Sequence, residues 1–292
     1  MTTDIPDLDA FYGDLTPARA YVYARLPRPA DAEGLTLSGQ VRGPRCKLAQ
    51  TLPTTSPLVD LGPGPTLLAR ALVPDPVFWS PDLPAIYDVT VNLLRGTEIL
   101  ATAQRQIGLR SLGVRDRDLL LNGKRWVLRG VSADSTTSRN VTDWHDAAAV
   151  YVHDDSPVAL RVASESGVLA MSVVLGEHLN WRIRLLANYP AVAICVPDRL
   201  PADFRKAQAV PNLILAQRLS RDATLTRQPW ADVVLVTADD TDLVRQAVAS
   251  IDAPIIAARY RRPPADIATA RAACDALQRD LAPLGQFAGY VV

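Results

Sequence analysis

The stretch Asp232-Val233-Val234-Leu235-Val236-Thr237 is a short, uninterrupted apolar run rich in valine. Such a run is typical of a strand buried on both faces of a parallel sheet, because half-exposed strands alternate apolar and polar residues. Seven similar runs lie at 126–131, 148–152, 168–174, 191–196, 212–216, 254–258 and 286–292. Helical segments separate the runs, which indicates parallel strands joined by crossover helices. Eight such strands predict a closed barrel.

Helix-start and helix-stop signals lie between these runs. Ser156 precedes Pro157, Asp240 precedes Thr241, and prolines precede Asp266 at the start of the last long helix. Gly167 predicts the end of a helix over 156–166. The barrel region has roughly 165 residues, fewer than the usual lower bound of about 200, so we expect a compressed (β/α)₈ barrel with some short helices.

Residues 17–114 follow a different pattern of short strands broken by proline and glycine. In 87–93, Tyr-Asp-Val-Thr-Val-Asn-Leu, apolar and polar residues alternate, as in a half-buried strand. Gly96 and the Asn122-Gly123 pair predict hairpin turns. Several strands at this spacing predict an immunoglobulin-like β-sandwich. The chain is therefore expected to be a multidomain β plus α/β protein, with an N-terminal segment 1–16, a sandwich 17–114 and a barrel 115–292.

The composition is typical of a folded protein whose positive and negative charges balance. Hydrophobic residues make up 48% and charged residues 21% of the chain, which argues against disorder. Thirty-one basic residues balance 31 acidic ones, so a nucleic-acid or anionic-membrane partner is not expected. The start lacks a signal-peptide pattern and no stretch has eighteen uninterrupted apolar residues, which predicts a soluble cytoplasmic protein. Three distant cysteines, Cys46, Cys195 and Cys274, predict neither disulfides nor a metal site.

Three ordered segments carry a resemblance to a known family. They are 78–89 (Phe-Trp-Ser-Pro-Asp-Leu-Pro-Ala-Ile-Tyr-Asp-Val), 108–112 (Gly-Leu-Arg-Ser-Leu) and 120–131 (Leu-Leu-Asn-Gly-Lys-Arg-Trp-Val-Leu-Arg-Gly-Val). Together they resemble the sandwich-to-barrel junction of glycoside hydrolase family 2, which includes β-galactosidases, β-mannosidases and β-glucuronidases. Weaker likenesses at 163–170, 188–194 and 253–256 extend the resemblance over roughly residues 60–292. Residues 1–60 are too few for the family's N-terminal jelly roll, so the resemblance implies a truncated member.

The resemblance also implies where catalytic residues belong. The family's retaining mechanism requires two carboxyl groups about 5–5.5 Å apart, one acting as acid and base and the other as nucleophile. An ungapped count from Tyr189-Pro190 places Leu200 at the acid/base position, and Arg259, before Tyr260, at the nucleophile position. Neither side chain can do that chemistry. The sequence therefore favours a degenerate, catalytically inactive member, a pseudo-glycosidase.

The alternative is a weakly active retaining-type β-glycosidase with relocated carboxylates. Asp198, next to the acid/base position, and Glu177 are the fallback catalytic candidates. Two other positions depart from the family pattern, because Ser132 replaces an asparagine and Tyr151 an arginine. These departures indicate that the sugar-binding shell is altered as well.

Charged residues at the predicted strand ends are candidate ligand-binding groups. Arg259, with Arg261 and Arg262, could bind an anion, or it could pair with Asp239 or Asp240. Several carboxylates lie at these strand ends and could be relocated catalytic groups, ligands of a hard metal ion or helix caps. They are Asp134, Asp154, Asp155, Glu177, Asp198, Asp239 and Asp240.

Histidines and aromatic residues complete the set of candidates. His153 and His178 could be metal ligands, general bases or hydrogen-bonding loop residues. Trp181 and Trp230 are candidate sugar-stacking platforms, and Cys195 is expected in the core.

No cofactor or metal is predicted. The expected role is binding of a carbohydrate or small anion, or interaction with a partner subunit or a second copy of the chain.

Overall fold

The computed structural model describes residues 5–29, 31, 33–133, 149–152, 156–201, 204, 210–220, 225–260, 264 and 266–292. It divides into two compact units. The first comprises Met1–Arg110 with Asn188–Pro190, and the second comprises Ser111–Ala187 with Ala191–Val292. Each unit has its own secondary structure and buried core.

The first unit is a sandwich-like antiparallel arrangement of seven strands. They are β1 (Asp9–Gly13), β2 (Arg19–Pro27), β3 (Leu35–Arg45), β4 (Thr54–Asp60), β5 (Thr66–Pro74), β6 (Ile86–Arg95) and β7 (Glu98–Ile107). Their order is β1-β2-β5-β4-β3-β6-β7. Strand β4 pairs with β3 along most of its length and with β5 only at Val59 and Asp60. It thereby connects strands β1, β2 and β5 to strands β3, β6 and β7.

Alternating side chains build the core of this unit, as the sequence pattern predicts. In β2, Ala20, Val22 and Ala24 are fully buried, and the residues between them lie on the opposite face. Ile5 and Leu8, in the predicted N-terminal segment 1–16, are buried in the same core. Strand β1 begins at Asp9, directly after Leu8, and pairs with β2. The predicted N-terminal segment therefore contributes to the sandwich.

A small antiparallel sheet begins the second unit. Its strands are β8 (Leu112–Arg115), β9 (Asp118–Leu121) and β10 (Lys124–Trp126), in the order β10-β9-β8. Asn122 and Gly123 connect β9 to β10 with φ angles of 52° and 75°. Gly96, between β6 and β7, has a φ of 62°. Both predicted hairpin turns are therefore confirmed.

Eight parallel strands follow and form a closed barrel in chain order. They are β11 (Leu128–Ala133), β12 (Ala149–Val152), β13 (Ala170–Val174), β14 (Val192–Pro197), β15 (Ile214–Arg218), β16 (Val233–Thr237), β17 (Ile255–Ala258) and β18 (Gly289–Val291). Strand β11 pairs with both β12 and β18, which closes the ring. Each of the eight predicted runs overlaps one of these strands, and all residues of β13, β14 and β17 are buried.

The described residues between these strands include four α-helices. They are α1 (Pro157–Ser166), α2 (Leu179–Ala187), α3 (Thr241–Ser250) and α4 (Ile267–Leu281), the last followed by a 3₁₀ helix (Ala282–Leu284). Gly167 ends α1 with a φ of 75°, and Asp240 and Asp266 cap α3 and α4 through their side chains. These predicted helix boundaries are confirmed. None of the described helices is both long and apolar enough to cross a membrane.

Candidate functional site

The predicted site residues follow the carboxyl ends of the barrel strands, where barrel enzymes place their chemistry. Glu177 and His178 follow β13; Asp198, Arg199 and Leu200 follow β14; Asp239 and Asp240 follow β16; Arg259 and Tyr260 follow β17. His153, Asp134, Asp154, Asp155, Arg261 and Arg262 lie outside the described residues, as does the side chain of Tyr151. The described candidates form two separate groups.

The first group is an ion-pair cluster of Arg259, Asp239 and Asp280, here called the Arg259 cluster. The Arg259 Nε lies 3.3 Å from Oδ1 of Asp239, and its Nη1 lies 2.8 Å from Oδ2 of Asp280. The guanidinium is 19% exposed, whereas both carboxylates are about half exposed. The backbone N–H of Arg259 donates to the carbonyl of Val291, which fixes the start of the side chain.

The charges in the Arg259 cluster oppose anion binding. One guanidinium faces two carboxylates, so the formal charge of the three side chains is negative. The predicted pairing of Arg259 with Asp239 is present, whereas Asp240 instead accepts a hydrogen bond from the N–H of Leu243 as the cap of α3. The Arg259 side chain is therefore engaged in ion pairs within the chain. Tyr260, the next residue, is 38% exposed.

Leu200, which the family resemblance assigns to the acid/base position, follows β14. Leu200 is buried, with 9% of its surface exposed. Asp198 and Arg199 before it are exposed, and the N–H of Asp198 donates to the carbonyl of Val174 over 2.9 Å. A shift of register would bring Asp198 to this position. The described geometry places its carboxylate at the surface.

Glu177 and His178 are also exposed, in the turn between β13 and α2. His178 has a φ of 58°, and its carbonyl accepts a hydrogen bond from the N–H of Arg182 in the first turn of α2. In the described parts of the chain, no group of three or more His, Cys, Asp or Glu side chains could hold a metal ion. His178 thus takes part in the start of a helix.

The second group surrounds an open cleft of about 490 Å³ after β13 and β14. We call it the β13–β14 cleft; its lining residues are Gly176, His178, Leu179, Asn180, Trp181, Arg199, Leu200 and Pro201. Trp181 is 62% exposed, whereas Trp230, the other predicted sugar platform, is 5% exposed. The sequence drew attention to Trp181 but not to Asn180 or to Arg199 as a binding group. Arg199 lies two residues after the buried strand β14, and this position was the available signal, whereas Asn180 lies in the first turn of α2.

Two buried thiols of the second unit are not nucleophiles. Cys195 in β14 is fully buried and Cys274 in α4 is 2% exposed. Burial raises the pKa of Cys195 to about 12 and that of Cys274 to about 11. Because the thiolate is the reactive form, both side chains stay protonated and unreactive near neutral pH. The expectation that Cys195 is a core residue is confirmed.

Part of the sequence matches known glycosidases. A family model described as glycosyl hydrolases family 2 matches residues 18–110. A β-galactosidase of Klebsiella pneumoniae (strain 342) is 36% identical over 131 residues, which cover 44% of this chain and 12% of that protein. A β-galactosidase of Streptococcus thermophilus is 31% identical over 68 residues, covering 22% of this chain and 7% of that protein.

The fold matches solved structures over nearly the whole chain. A glycosyl hydrolase family 2 member from Bacteroides cellulosilyticus DSM 14838 has a TM-score of 0.65 at 16% identity, covering 98% of this chain and 45% of that one. A Bacteroides uniformis β-glucuronidase has a TM-score of 0.64 at 14% identity, with the same coverage of both chains. This chain thus spans less than half the length of these proteins. Residues 18–110 therefore match glycosyl hydrolases family 2 in sequence, and nearly the whole chain shares the fold of solved members of that family.

Proposed function

We propose that this chain is a pseudo-glycosidase that binds carbohydrate without hydrolysing it, built from an immunoglobulin-like sandwich and a compressed (β/α)₈ barrel. The observation that carries the proposal is Arg259. The family resemblance assigns it to the position of the nucleophile, and its side chain forms ion pairs with Asp239 and Asp280. A residue engaged in this way serves the fold of the barrel.

Arginine cannot replace the missing nucleophile. Retaining hydrolysis forms a glycosyl ester on a carboxylate, which a second carboxyl group about 5–5.5 Å away assists as acid and base. A guanidinium stays protonated at physiological pH and has no lone pair available for attack on an anomeric carbon. Replacing the carboxylate with arginine therefore removes the covalent step altogether.

The acid/base role is also unsupported. Leu200 has no exchangeable side-chain proton, and Asp198 beside it is exposed to solvent. Hydrolysis by relocated carboxylates would have to use Asp198 or Glu177 in this solvated setting.

Carbohydrate binding is supported by the β13–β14 cleft. Sugar sites combine an aromatic face with hydrogen-bonding side chains, and the cleft offers the Trp181 indole together with Asn180 and His178. Its volume of about 490 Å³ is within the common range for small-molecule sites. The Arg259 cluster is a poorer site for an anionic ligand, because two carboxylates already neutralise its guanidinium.

Hydrolysis of a panel of aryl β-glycosides tests the proposal. We expect no release of aryl alcohol from the galactoside, mannoside, glucuronide or glucoside above the rate in buffer. Asp198→Asn and Glu177→Gln variants are the matched controls for contaminating enzyme. Turnover by the wild type that either variant abolishes would establish the alternative, a weakly active β-glycosidase with relocated carboxylates.

Self-association, or binding to a partner subunit, is a further part of the proposal. Val59 on β4 and Leu72 on β5 are each about half exposed on the sandwich. Covering these two side chains with a partner would remove apolar surface from water. Sedimentation velocity over a wide concentration range tests self-association, and a single monomer at all concentrations would contradict it. The cytoplasmic location stays a prediction from the sequence.

A further inference from the structure

We propose that the β13–β14 cleft binds a sugar that carries an anionic substituent, a carboxylate or a sulfate, with Arg199 as the anion-binding residue and Trp181 as the stacking surface. This proposal rests on the carbohydrate-binding part of the proposed function. It is independent of whether the chain has lost hydrolysis. It places the ligand after β13 and β14 and away from Arg259.

Arg199 is a cation available to a ligand. Its side chain is exposed and lines the cleft, and no described residue forms a hydrogen bond or ion pair with its guanidinium. A planar guanidinium binds a carboxylate or sulfate through two parallel hydrogen bonds. Among the described residues, an anion can therefore bind here without first breaking an ion pair, in contrast to Arg259.

The lining of the cleft favours negative charge. Among its described lining residues there is no aspartate or glutamate, although Glu177 and Asp198 are neighbours in sequence. Leu179, Asn180 and Trp181 begin α2, and the first N–H groups of a helix have no acceptor within the helix. These groups carry partial positive charge and supplement the guanidinium of Arg199.

Trp181 provides an apolar surface for the sugar ring. Its indole is 62% exposed, whereas Ile183 and Leu186 of the same helix are buried and hold α2 against the barrel. Covering an exposed indole with the C–H face of a pyranose removes apolar surface from water. The buried face of the helix thus fixes a backbone that presents the indole beside Arg199.

Asn180 and His178 complete the site as hydrogen-bonding groups. The carboxamide of Asn180 offers both donors and an acceptor, and the imidazole of His178 offers one of each when neutral. Both side chains line the cleft and are exposed. A pyranose has hydroxyl groups around its edge, so these two residues suit the ring while Arg199 binds the charged substituent.

Isothermal titration calorimetry with four compounds tests the proposal. The compounds are methyl β-D-glucuronide, methyl β-D-glucoside 6-sulfate, methyl β-D-glucoside and inorganic sulfate. We expect at least one acidic sugar to bind about tenfold or more tightly than the neutral glucoside, since hydrogen bonds to charged groups are the stronger ones. The two acidic sugars distinguish a carboxylate from a sulfate ligand. Inorganic sulfate binding as tightly as both would overturn the role of the sugar ring.

Variants assign the effect to single residues. Arg199→Gln should reduce the preference for the acidic sugar to near unity and leave the neutral glucoside unchanged, whereas Trp181→Ala should weaken all three sugars about tenfold. Arg245→Gln, an exposed arginine on α3, is the matched control and should change nothing. Both cleft residues are exposed, and circular dichroism checks that each variant is folded.

Two results would overturn the proposal. One is acidic-sugar binding that Arg259→Gln abolishes and Arg199→Gln does not. The other is an absence of binding by any of the sugars. In the second case, a negative hydrolysis panel would still support the loss of catalysis, so failure of this inference is distinguishable from failure of the proposed function.

Discussion

Arg259 and Arg199 both follow a buried strand of the same barrel, but their surroundings are opposite. Arg259, after β17, is 19% exposed and paired with Asp239 and Asp280. Arg199, after β14, is exposed beside an open cleft, and none of the described residues pairs with it. An arginine whose charge is already neutralised stabilises the fold, whereas one facing solvent next to an aromatic surface is available to a ligand. The environment, and not the residue type, separates the two roles.

The largest expected effect distinguishes the two faces of α2, the helix beside the cleft. Ile183→Ala should lower the free energy of unfolding by about 2–5 kcal/mol, because truncating a fully buried aliphatic side chain leaves a cavity. Trp181→Ala should change it by less than about 0.5 kcal/mol, because the indole is exposed. Urea unfolding measures both values. A large loss of stability in the Trp181 variant would mean that the indole is a packing residue.

A smaller effect distinguishes the neighbouring aspartates after β16. Asp240→Ala should lower the free energy of unfolding by about 1 kcal/mol, because its carboxylate accepts the N–H of Leu243 at the start of α3. Asp239→Ala should lower it by about 0.5 kcal/mol at most, because half-exposed ion pairs are screened by solvent. Thermal unfolding of the two variants in parallel checks the order. Equal losses would contradict the assignment of a cap to one residue and an ion pair to the other.

The two arginines themselves should differ by a similar amount. Arg259→Met is expected to lower the free energy of unfolding by about 0.5–1 kcal/mol, since two carboxylates lose their partner, and Arg199→Met by close to zero. Chemical unfolding in urea measures this difference, and 1 M NaCl should reduce it because salt screens exposed charges. A destabilised Arg199 variant would show that this residue has an internal partner after all.

The smallest expected effect is on the labelling rates of the two buried thiols. Cys195 lies in β14, the strand before Arg199, and Cys274 lies in α4, the helix that carries Asp280. The pKa of Cys195 is raised to about 12 and that of Cys274 to about 11, so at pH 8 both are protonated in the folded protein. Reactivity toward a disulfide reagent should increase with pH only as it approaches those values, while the partly exposed Cys46 reacts at once. Arg259→Met should raise labelling of Cys274, on the helix that carries Asp280, a few-fold more than that of Cys195. Mass spectrometry of the labelled peptides measures both rates.

Local features of the fold were predictable because their causes are local in sequence. The eight apolar runs, the Asn122-Gly123 turn and the cap at Asp240 each depend on a few consecutive residues. The pairing of Arg259 with Asp239 was also predictable, since adjacent parallel strands bring their carboxyl ends together. The match at residues 18–110 contains the segment 78–89 and the start of 108–112, whereas the segment 120–131 lies beyond it.

Contacts between segments distant in sequence were not predictable. Asp280 joins the Arg259 cluster from a helix 21 residues further along the chain, and no pattern in α4 marks it. The cleft combines Asn180 and Trp181 with Arg199, which meet only when β13 and β14 pair. The burial of Trp230 likewise depends on tertiary packing, so the sequence could not separate it from the exposed Trp181.

Saturation-transfer difference NMR of the wild-type protein with methyl β-D-glucuronide and methyl β-D-glucoside 6-sulfate, followed over several days, tests binding and catalysis in one sample. We predict transfer of saturation to the ring protons of at least one sugar, lost in Trp181→Ala, together with constant integrals of both anomeric signals. Growth of free reducing-sugar signals, absent in Asp198→Asn or Glu177→Gln, would contradict a non-hydrolytic role. A spectrum without any transfer would contradict binding in the cleft.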